Sequence, residues 1–313
     1  MRLPLLVVSS LFAAVLTCSS PVLAASSSTI DVVHAQGTTQ VPKNPQRVVI
    51  LSPATLDIAD ALGVDVIGVP QTSSHFPAHL AKYNSDAYIN AGTLFEPNYE
   101  ALINAKPDLI IAGARAAAAY DKLSGIAPTI SLDIDPKNFL ASMTQRTEQL
   151  GEIFGKQEKA KQVIADFDHQ AEEIRKVSGQ AGSAMMLMVN GGKINAYSPD
   201  SRFGFIFDVL GFKPAATFPA GGQHGNTVSP EFIMESHPDW LFVLDRDNAI
   251  GNKKEGASAS QVLDNPLVRR TPAWKNQHVV YLDSGALYIA GGIQSYSNLM
   301  TQVNKVLNEN KQK

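Results

Sequence analysis

Short β-branched apolar runs and helical apolar patterns follow one another along this chain, and their order predicts its architecture. Arg47-Val-Val-Ile-Leu51 and Val64-Asp-Val-Ile-Gly-Val69 bracket a helical pattern from Leu56 to Leu62 that Gly63 stops. A strand, a helix and a strand in such close succession form a parallel α/β unit. Glu100 to Lys106 then reads as a short helix ending at Pro107, Asp108-Leu-Ile-Ile-Ala112 as a buried strand, and Thr129-Ile-Ser-Leu132 as the last strand of this half.

The second half repeats the pattern. Ala184-Met-Met-Leu-Met-Val189 is strand-like, continues through Lys193 to Tyr197, and opens into a loop at Ser198-Pro199. Phe205 to Leu210 is helical and stops at Gly211; Glu231 to His237 leads to Pro238, and Asp239-Trp-Leu-Phe-Val243 is the next strand. Four identities share one offset of 131: Glu100 with Glu231, Pro107 with Pro238, Asp108 with Asp239, and Arg115 with Arg246. Apolar positions match at the same offset, as Leu102 does with Ile233 and Ile111 with Phe242. An internal duplication explains this better than chance likeness between two helix–strand units.

Between the halves, 138–154 and 156–177 are helical in composition, and the second stretch carries no Pro or Gly. At 1.5 Å per residue it reaches about 33 Å, a rigid span and not a flexible linker. The fold predicted is α/β: two Rossmann-like lobes with central parallel sheets, joined by one long rigid helix, with a ligand cleft between them. Expected boundaries are a signal peptide over 1–24, an N-terminal lobe over 25–155, the inter-lobe helix over 156–178 and a C-terminal lobe over 179–313. A single stiff crossing predicts a modest tilt of the lobes in place of wide hinge closure.

The 313 residues suffice for two domains, each burying its own core. With 26 basic and 29 acidic residues the chain has no basic excess, which argues against nucleic acid as a partner. Its only cysteine, Cys18, excludes a disulfide scaffold and a thiolate metal cluster. Residues 1–24 place Arg2 before an apolar run and small residues at Val22 and Ala24, the pattern of a cleaved secretory signal. Leu3 to Leu16 is short for a membrane span. A lipoprotein signal ending at Cys18 is the rival reading, weakened by Thr17 just before it. The expected product is a soluble exported protein in the periplasm.

Ligand groups in parallel α/β units gather beyond the carboxyl ends of strands. Arg115, Arg202 and Arg246 all fall at such positions. Three guanidiniums facing one cleft repel each other unless an anion of matching charge fills it. Each pair at 4 Å contributes about 4 kcal/mol at an effective dielectric near 20, before desolvation. The planar fork of arginine suits an oxyanion. His224, in the loop Gly221-Gly-Gln-His-Gly-Asn226, and Tyr288, after the 278–282 strand, carry donors suited to a hard cation such as Fe(III). His75 and His79 have helical i, i+4 spacing, but Pro77 lies between them, and they read as two solvated loop histidines.

At these residues the sequence resembles the periplasmic ferric-siderophore-binding proteins of ABC importers, in the branch that takes catecholates of the enterobactin and petrobactin type. The matching segments are Arg47-Val-Val-Ile-Leu, Glu96-Pro-Asn-Tyr-Glu-Ala-Leu, Lys106-Pro-Asp-Leu-Ile-Ile, Tyr120-Asp-Lys-Leu123, Ser201-Arg-Phe-Gly204, Asp208-Val-Leu-Gly211, His224-Gly225 and Asp245-Arg246, with Arg115 and Tyr288. They span the chain from 30 to 310. The resemblance implies a binding protein and not an enzyme, with no intrinsic cofactor and Fe(III) carried as a siderophore complex. It further implies that Arg115, Arg202 and Arg246 match the ligand's negative charge, and that His224 and Tyr288 fill the coordination sites a four-oxygen siderophore leaves open. Glu100 and Glu231 would dock the two lobes on an inner-membrane permease, and the protein would act as a monomer. One departure is the bland Ala112-Gly-Ala-Arg-Ala-Ala-Ala-Ala119, which offers few polar side chains to orient Arg115. Two other readings compete. The same fold could hold haem or a cobalamin, which three arginines suit less well than a compact trianion. A metal-dependent hydrolase on His75 and His79, or on His224, lacks the general-base Glu and any nucleophile elbow.

Overall fold

The structure, a computed structural model, describes residues 28–71, 74, 76–218, 225–252 and 257–310. The expected signal peptide with Cys18, and the side chains of His75 and His224, lie outside the described residues.

The chain opens with a hairpin the sequence reading did not anticipate, β1 (Thr29–His34) paired antiparallel with β2 (Gly37–Pro42). The first α/β unit is β3 (Val48–Ile50), α1 (Pro53–Ala61) and β4 (Gly68–Val69), followed by a 3₁₀ turn (Ala78–Asn84) and β5 (Ile89–Asn90). Next come α2 (Tyr99–Ala105), β6 (Leu109–Ala112), a second 3₁₀ turn (Ala114–Ala119), α3 (Tyr120–Ser124) and β7 (Thr129–Ser131). These strands form one all-parallel sheet in the order β5-β4-β3-β6-β7. The strand expected over 64–69 pairs only at its end. Val64 and Val66 are apolar because they pack into the core, not because they belong to the ladder.

Two helices leave this lobe, α4 (Phe139–Ile153) and α5 (Gln157–Ser178), the second being the long span expected between the halves. The second lobe begins with β8 (Ser183–Asn190) and β9 (Lys193–Tyr197). Here the structure corrects the sequence reading. β9 does not continue β8 but folds back antiparallel across Gly191-Gly192, both at positive φ, as a two-residue hairpin turn requires. Then follow α6 (Phe205–Asp208), β10 (Lys213–Pro214), β11 (Asn226–Val228), α7 (Pro230–Glu235), β12 (Trp240–Asp245) and α8 (Arg246–Ala249). The chain ends with α9 (Ala259–Leu263), α10 (Pro272–Lys275), β13 (Val279–Tyr281), a π-helical turn (Gly285–Ala290) and α11 (Ile293–Asn310). The sheet order is β11-β9-β8-β12-β13, with β10 also pairing β8. It is mixed, because β9 runs antiparallel to both its neighbours, β8 and β11, while β8, β10, β12 and β13 pair in parallel.

The duplication is structural. Asn98 and Ser229 cap α2 and α7 with their side chains, and Lys106 and His237 both take φ 46 just before the shared prolines. Asp108 Oδ2 accepts from the Gln46 and Arg47 amides at 2.9 Å, and Asp239 Oδ2 from the Ser183 amide at 2.8 Å. Each carboxylate thus pins the start of the neighbouring central strand, β3 or β8.

The cores are not two, as length alone suggested. Alternate residues of each sheet face different clusters: Val49 and Ile110 face a core private to the first lobe, and Leu241 and Val243 one private to the second. Val48, Ile50, Phe242 and Leu244 all belong to a third core that runs through both lobes and the helices between them. Within it Phe205 and Tyr296 pack with the partly buried Phe139, ring centroids 4.5–5.0 Å apart. The chain also crosses between the lobes twice. After β13, α11 returns to α1, where Gln294 and Ser295 bond to Asp57. Among the described residues no helix is long and apolar enough to cross a membrane.

Candidate functional site

Arg115 lies in the 3₁₀ turn after β6, Arg246 opens α8 directly after β12, and Asn190 ends β8. Acidic side chains shape these corners by capping backbone. Asp133 Oδ1 accepts from the Ala114 amide at 2.6 Å, and Asp245 from Asn248 at 2.9 Å and Ala259 at 2.8 Å. Asp283 accepts from Ala286 at 2.9 Å, at the start of the π-helical turn. Because these carboxylates are occupied by amides, they leave the guanidiniums unmatched. Among the described residues no carboxylate forms an ion pair with Arg115, Arg202 or Arg246.

The three arginines meet at Tyr288. Arg115, from the first lobe, donates from Nη2 to the Tyr288 carbonyl at 2.8 Å and from Nη1 to the Ile289 carbonyl at 3.1 Å. Arg202 Nη2 donates to the same Tyr288 carbonyl at 2.9 Å, and its guanidinium lies 4.5 Å from the Tyr288 ring centroid. Arg246 Nε donates to the Tyr288 hydroxyl at 2.8 Å, and its Nη1 to Asn190 Oδ1 at 3.1 Å. Backbone carbonyls therefore orient Arg115, where the bland sequence around it offered no side chain to do so. A π-helical turn widens the backbone and turns carbonyls outward, and such turns concentrate at functional sites.

The charges act on one another. Burial, and then the neighbouring Arg202, hold the Arg115 guanidinium below its ordinary range. Burial alone would push the Tyr288 phenol up. The hydrogen bond from Arg246, with the charges of Arg246 and Arg202, outweighs it, and the net shift is down. Tyr197, at the end of β9, is pushed up to about 12 by burial despite the same two arginines. The arrangement is a cationic corner, supplied by both lobes, with one phenol oxygen biased toward phenolate.

Of the other expected residues, His224 lies outside the described residues. Its neighbour Gly225 takes φ 72, and a Cβ there would lie 3.1 Å from the Tyr197 ring. Glu100 and Glu231 are exposed at matching positions in the first turns of α2 and α7. The Glu231 carboxyl is held below its ordinary range by its own amide and by Ser229. His79 is not solvated. Its side chain is 15% exposed and Nε2 lies 2.8 Å from Asp57 Oδ2. Ser295 Oγ meets both, 2.7 Å from Asp57 and 3.4 Å from His79 Nε2. Asp57 and Ser295 reach the same imidazole nitrogen, so His79 does not relay between them as in a hydrolase triad. Sequence reasoning missed Asn190, although the strand-end rule that found the arginines points to it as well. Two cavities, about 300 Å³ against Asn138, Phe139 and Asp208 and about 440 Å³ against Ile103, Pro107 and Ile126, lie apart from the trio.

Comparison with known proteins identifies the family. The family model for periplasmic binding proteins matches residues 48–286. The petrobactin-binding protein YclQ of Bacillus subtilis is 39% identical over 267 residues, 85% of this chain and 83% of that one. Its crystal structure superposes with a TM-score of 0.84, covering 90% of this chain and 99% of that one. The ferric-anguibactin-binding protein FatB of Vibrio anguillarum is 36% identical over 266 residues, 83% of this chain and 81% of its own. The periplasmic catecholate-siderophore binding protein VctP of Vibrio cholerae superposes with a TM-score of 0.82 at 34% identity, covering 89% and 100% of the two chains. On the family match and on these relatives, which span most of its length, the chain belongs to the periplasmic binding protein family.

Proposed function

We propose that this protein captures a ferric catecholate siderophore between its lobes and delivers it to an ABC permease for iron uptake. One observation carries the reading: three arginines from both lobes, with no carboxylate partner among the described residues, meet around a single tyrosine. A ferric complex of three catecholates carries three negative charges in a compact shell of oxygens, the complement of that corner. The petrobactin-, anguibactin- and catecholate-binding relatives are consistent with it.

In this reading Arg115, Arg202 and Arg246 neutralise the ligand and Fe(III) is cargo, not a resident cofactor. The Tyr288 oxygen, biased toward phenolate, donates to iron when a siderophore brings only four oxygens, and His224 supplies the sixth donor. Glu100 and Glu231, one exposed carboxylate per lobe at equivalent positions, are the permease contacts. Residues 1–24 are the export signal, with Cys18 as the alternative lipid anchor; 25–155 and 179–313 are the lobes and 156–178 the span between them, with α11 at the end of the second lobe packed back on α1 of the first. The protein works as a monomer.

Intrinsic fluorescence from Trp240 and Trp274 provides the test. Ferric complexes of a bis-catecholate and a tris-catecholate should quench it at submicromolar concentration, and the iron-free ligands much less. A folded protein that ignores both ferric complexes would refute the proposal.

A further inference from the structure

Asp57 is fully buried on α1, where α1 faces the start of α11. Its carboxylate collects four hydrogen bonds. Oδ1 accepts from the Gln294 amide at 2.7 Å; Oδ2 accepts from the Ser295 amide at 3.1 Å, the Ser295 hydroxyl at 2.7 Å and His79 Nε2 at 2.8 Å. The Gln294 side chain adds a bond to the Asp57 carbonyl at 2.8 Å and one to Asp60 at 3.0 Å. Asp60 in turn takes the Tyr83 hydroxyl at 2.9 Å and Lys82 at 2.5 Å. Three distant pieces of chain, namely α1, the 78–84 turn and the start of α11, are tied at one carboxylate.

A buried carboxylate facing the first amides of a helix is well balanced electrostatically, and stability alone would account for it. Its place in the chain gives it more to do. The π-helical turn that carries Tyr288 ends only three residues before Ile293. Gly291 there takes φ 74, and a Cβ on Gly292 would fall 2.5 Å from Asp57 Cβ and from the Ala54 carbonyl. The connection therefore lies flat against α1, with no slack between the knot and the turn. The other end of the turn, Gly285, faces Pro77, two residues before His79, with 3.8 Å from a Cβ built on Gly285 to that ring. One end of the Tyr288 turn thus runs into residues that Asp57 holds, and the other lies against Pro77, two residues before His79, which Asp57 also holds.

We infer that Asp57 is a positioning residue for the ligand site, fixing the Tyr288 turn against the first lobe and so setting the reach of Tyr288 to the ligand and to Arg115. Asp57 touches neither the arginines nor Tyr288. It acts through the turn, whose carbonyls at 288 and 289 receive Arg115 from the same lobe as Asp57. Iron–oxygen bonding tolerates little misplacement, and outer-shell partners of metal ligands typically alter affinity by about 10- to 100-fold. The inference rests on Tyr288 being a donor to iron, and the test separates the two.

Asp57→Asn, Ser295→Ala and Tyr288→Phe are compared by fluorescence titration with the ferric bis-catecholate, which leaves two coordination sites open, and the ferric tris-catecholate, which leaves none. Asp57→Asn should weaken the bis-catecholate complex about 10-fold more than the tris-catecholate complex, and that selectivity should vanish in the Tyr288→Phe background. Ser295→Ala, which removes one of the four bonds, should shift both measurements in the same direction by less, and it carries the test if Asp57→Asn does not fold. Equal losses for the two ligands in these variants, or a selectivity that persists without the Tyr288 hydroxyl, would overturn the positioning role. Should Tyr288→Phe itself discriminate between the ligands while the Asp57 and Ser295 variants do not, the inference fails and the coordination reading stands. If Tyr288→Phe does not discriminate, the coordination reading fails and the inference with it.

Discussion

Arg246 donates from Nε to the Tyr288 hydroxyl across 2.8 Å, and this contact joins the end of β12 to the turn after β13. It serves two purposes at once. It aims a guanidinium at the corner where Arg115 and Arg202 also arrive, and it draws the phenol toward its ionised form. In the proposed function, charge recognition and metal donation are thereby built on the same pair of side chains.

Tyr288 should ionise ahead of Tyr83, Tyr197, Tyr281 and Tyr296, all of which burial pushes up, Tyr197 and Tyr296 to about 12. A spectrophotometric alkaline titration should therefore show an early step that Tyr288→Phe abolishes and Arg246→Leu moves upward. The sign follows from linkage. A phenol lowered in the folded state contributes stability that is fully present above its unfolded value near 10 and is lost as pH falls through the folded value. No early step, or one that survives Tyr288→Phe, would contradict the assignment.

Replacing Arg115, Arg202 or Arg246 singly by Met should weaken binding of a ferric tris-catecholate by about 10- to 100-fold, the range of a charge-assisted hydrogen bond of about 1.5–3 kcal/mol. The wild-type affinity should fall with added salt, and each variant should depend on salt less steeply. Competitive fluorescence titrations at several ionic strengths measure both. Unchanged affinity in all three variants would remove the electrostatic basis of the site.

The shared core predicts one cooperative unfolding transition for both lobes. Urea curves followed by tryptophan emission from Trp240 on β12 and Trp274 on α10 should coincide with curves followed by far-ultraviolet circular dichroism, which reports on the whole chain. Phe205→Ala, at the junction of α4, α5 and α11, should lower stability by about 3–5 kcal/mol without separating the curves. Two resolved transitions would mean that the lobes fold independently.

Asp108 and Asp239 predict a matched pair of effects. Asp108→Ala and Asp239→Ala each leave two donors at the start of a central strand without their acceptor, namely the Gln46 and Arg47 amides in one lobe and the Ser183 amide and hydroxyl in the other. Each should cost about 1–3 kcal/mol in denaturant titrations and leave ligand affinity nearly unchanged, since neither side chain touches the arginines. A large loss of affinity at equal stability would contradict a purely structural role.

Local pattern determined much of this protein. Short continuous apolar runs placed β3, β6, β8 and β12, and the 131-residue offset marked a duplication visible in Asp108 and Asp239. The strand-end rule singled out Arg115 and Arg246, because the position of a side chain just beyond a strand is a local property. Tertiary structure decided the remainder. Gly191-Gly192 turns β9 back where apolar composition alone reads as a continuation. The third core and the return of α11 depend on contacts between residues far apart in sequence, and no window of the chain contains both sides of them. Tyr288 became the meeting point of three guanidiniums for the same reason. Its carbonyl partner Arg115 is 173 residues away, and the charge that unites them acts through space.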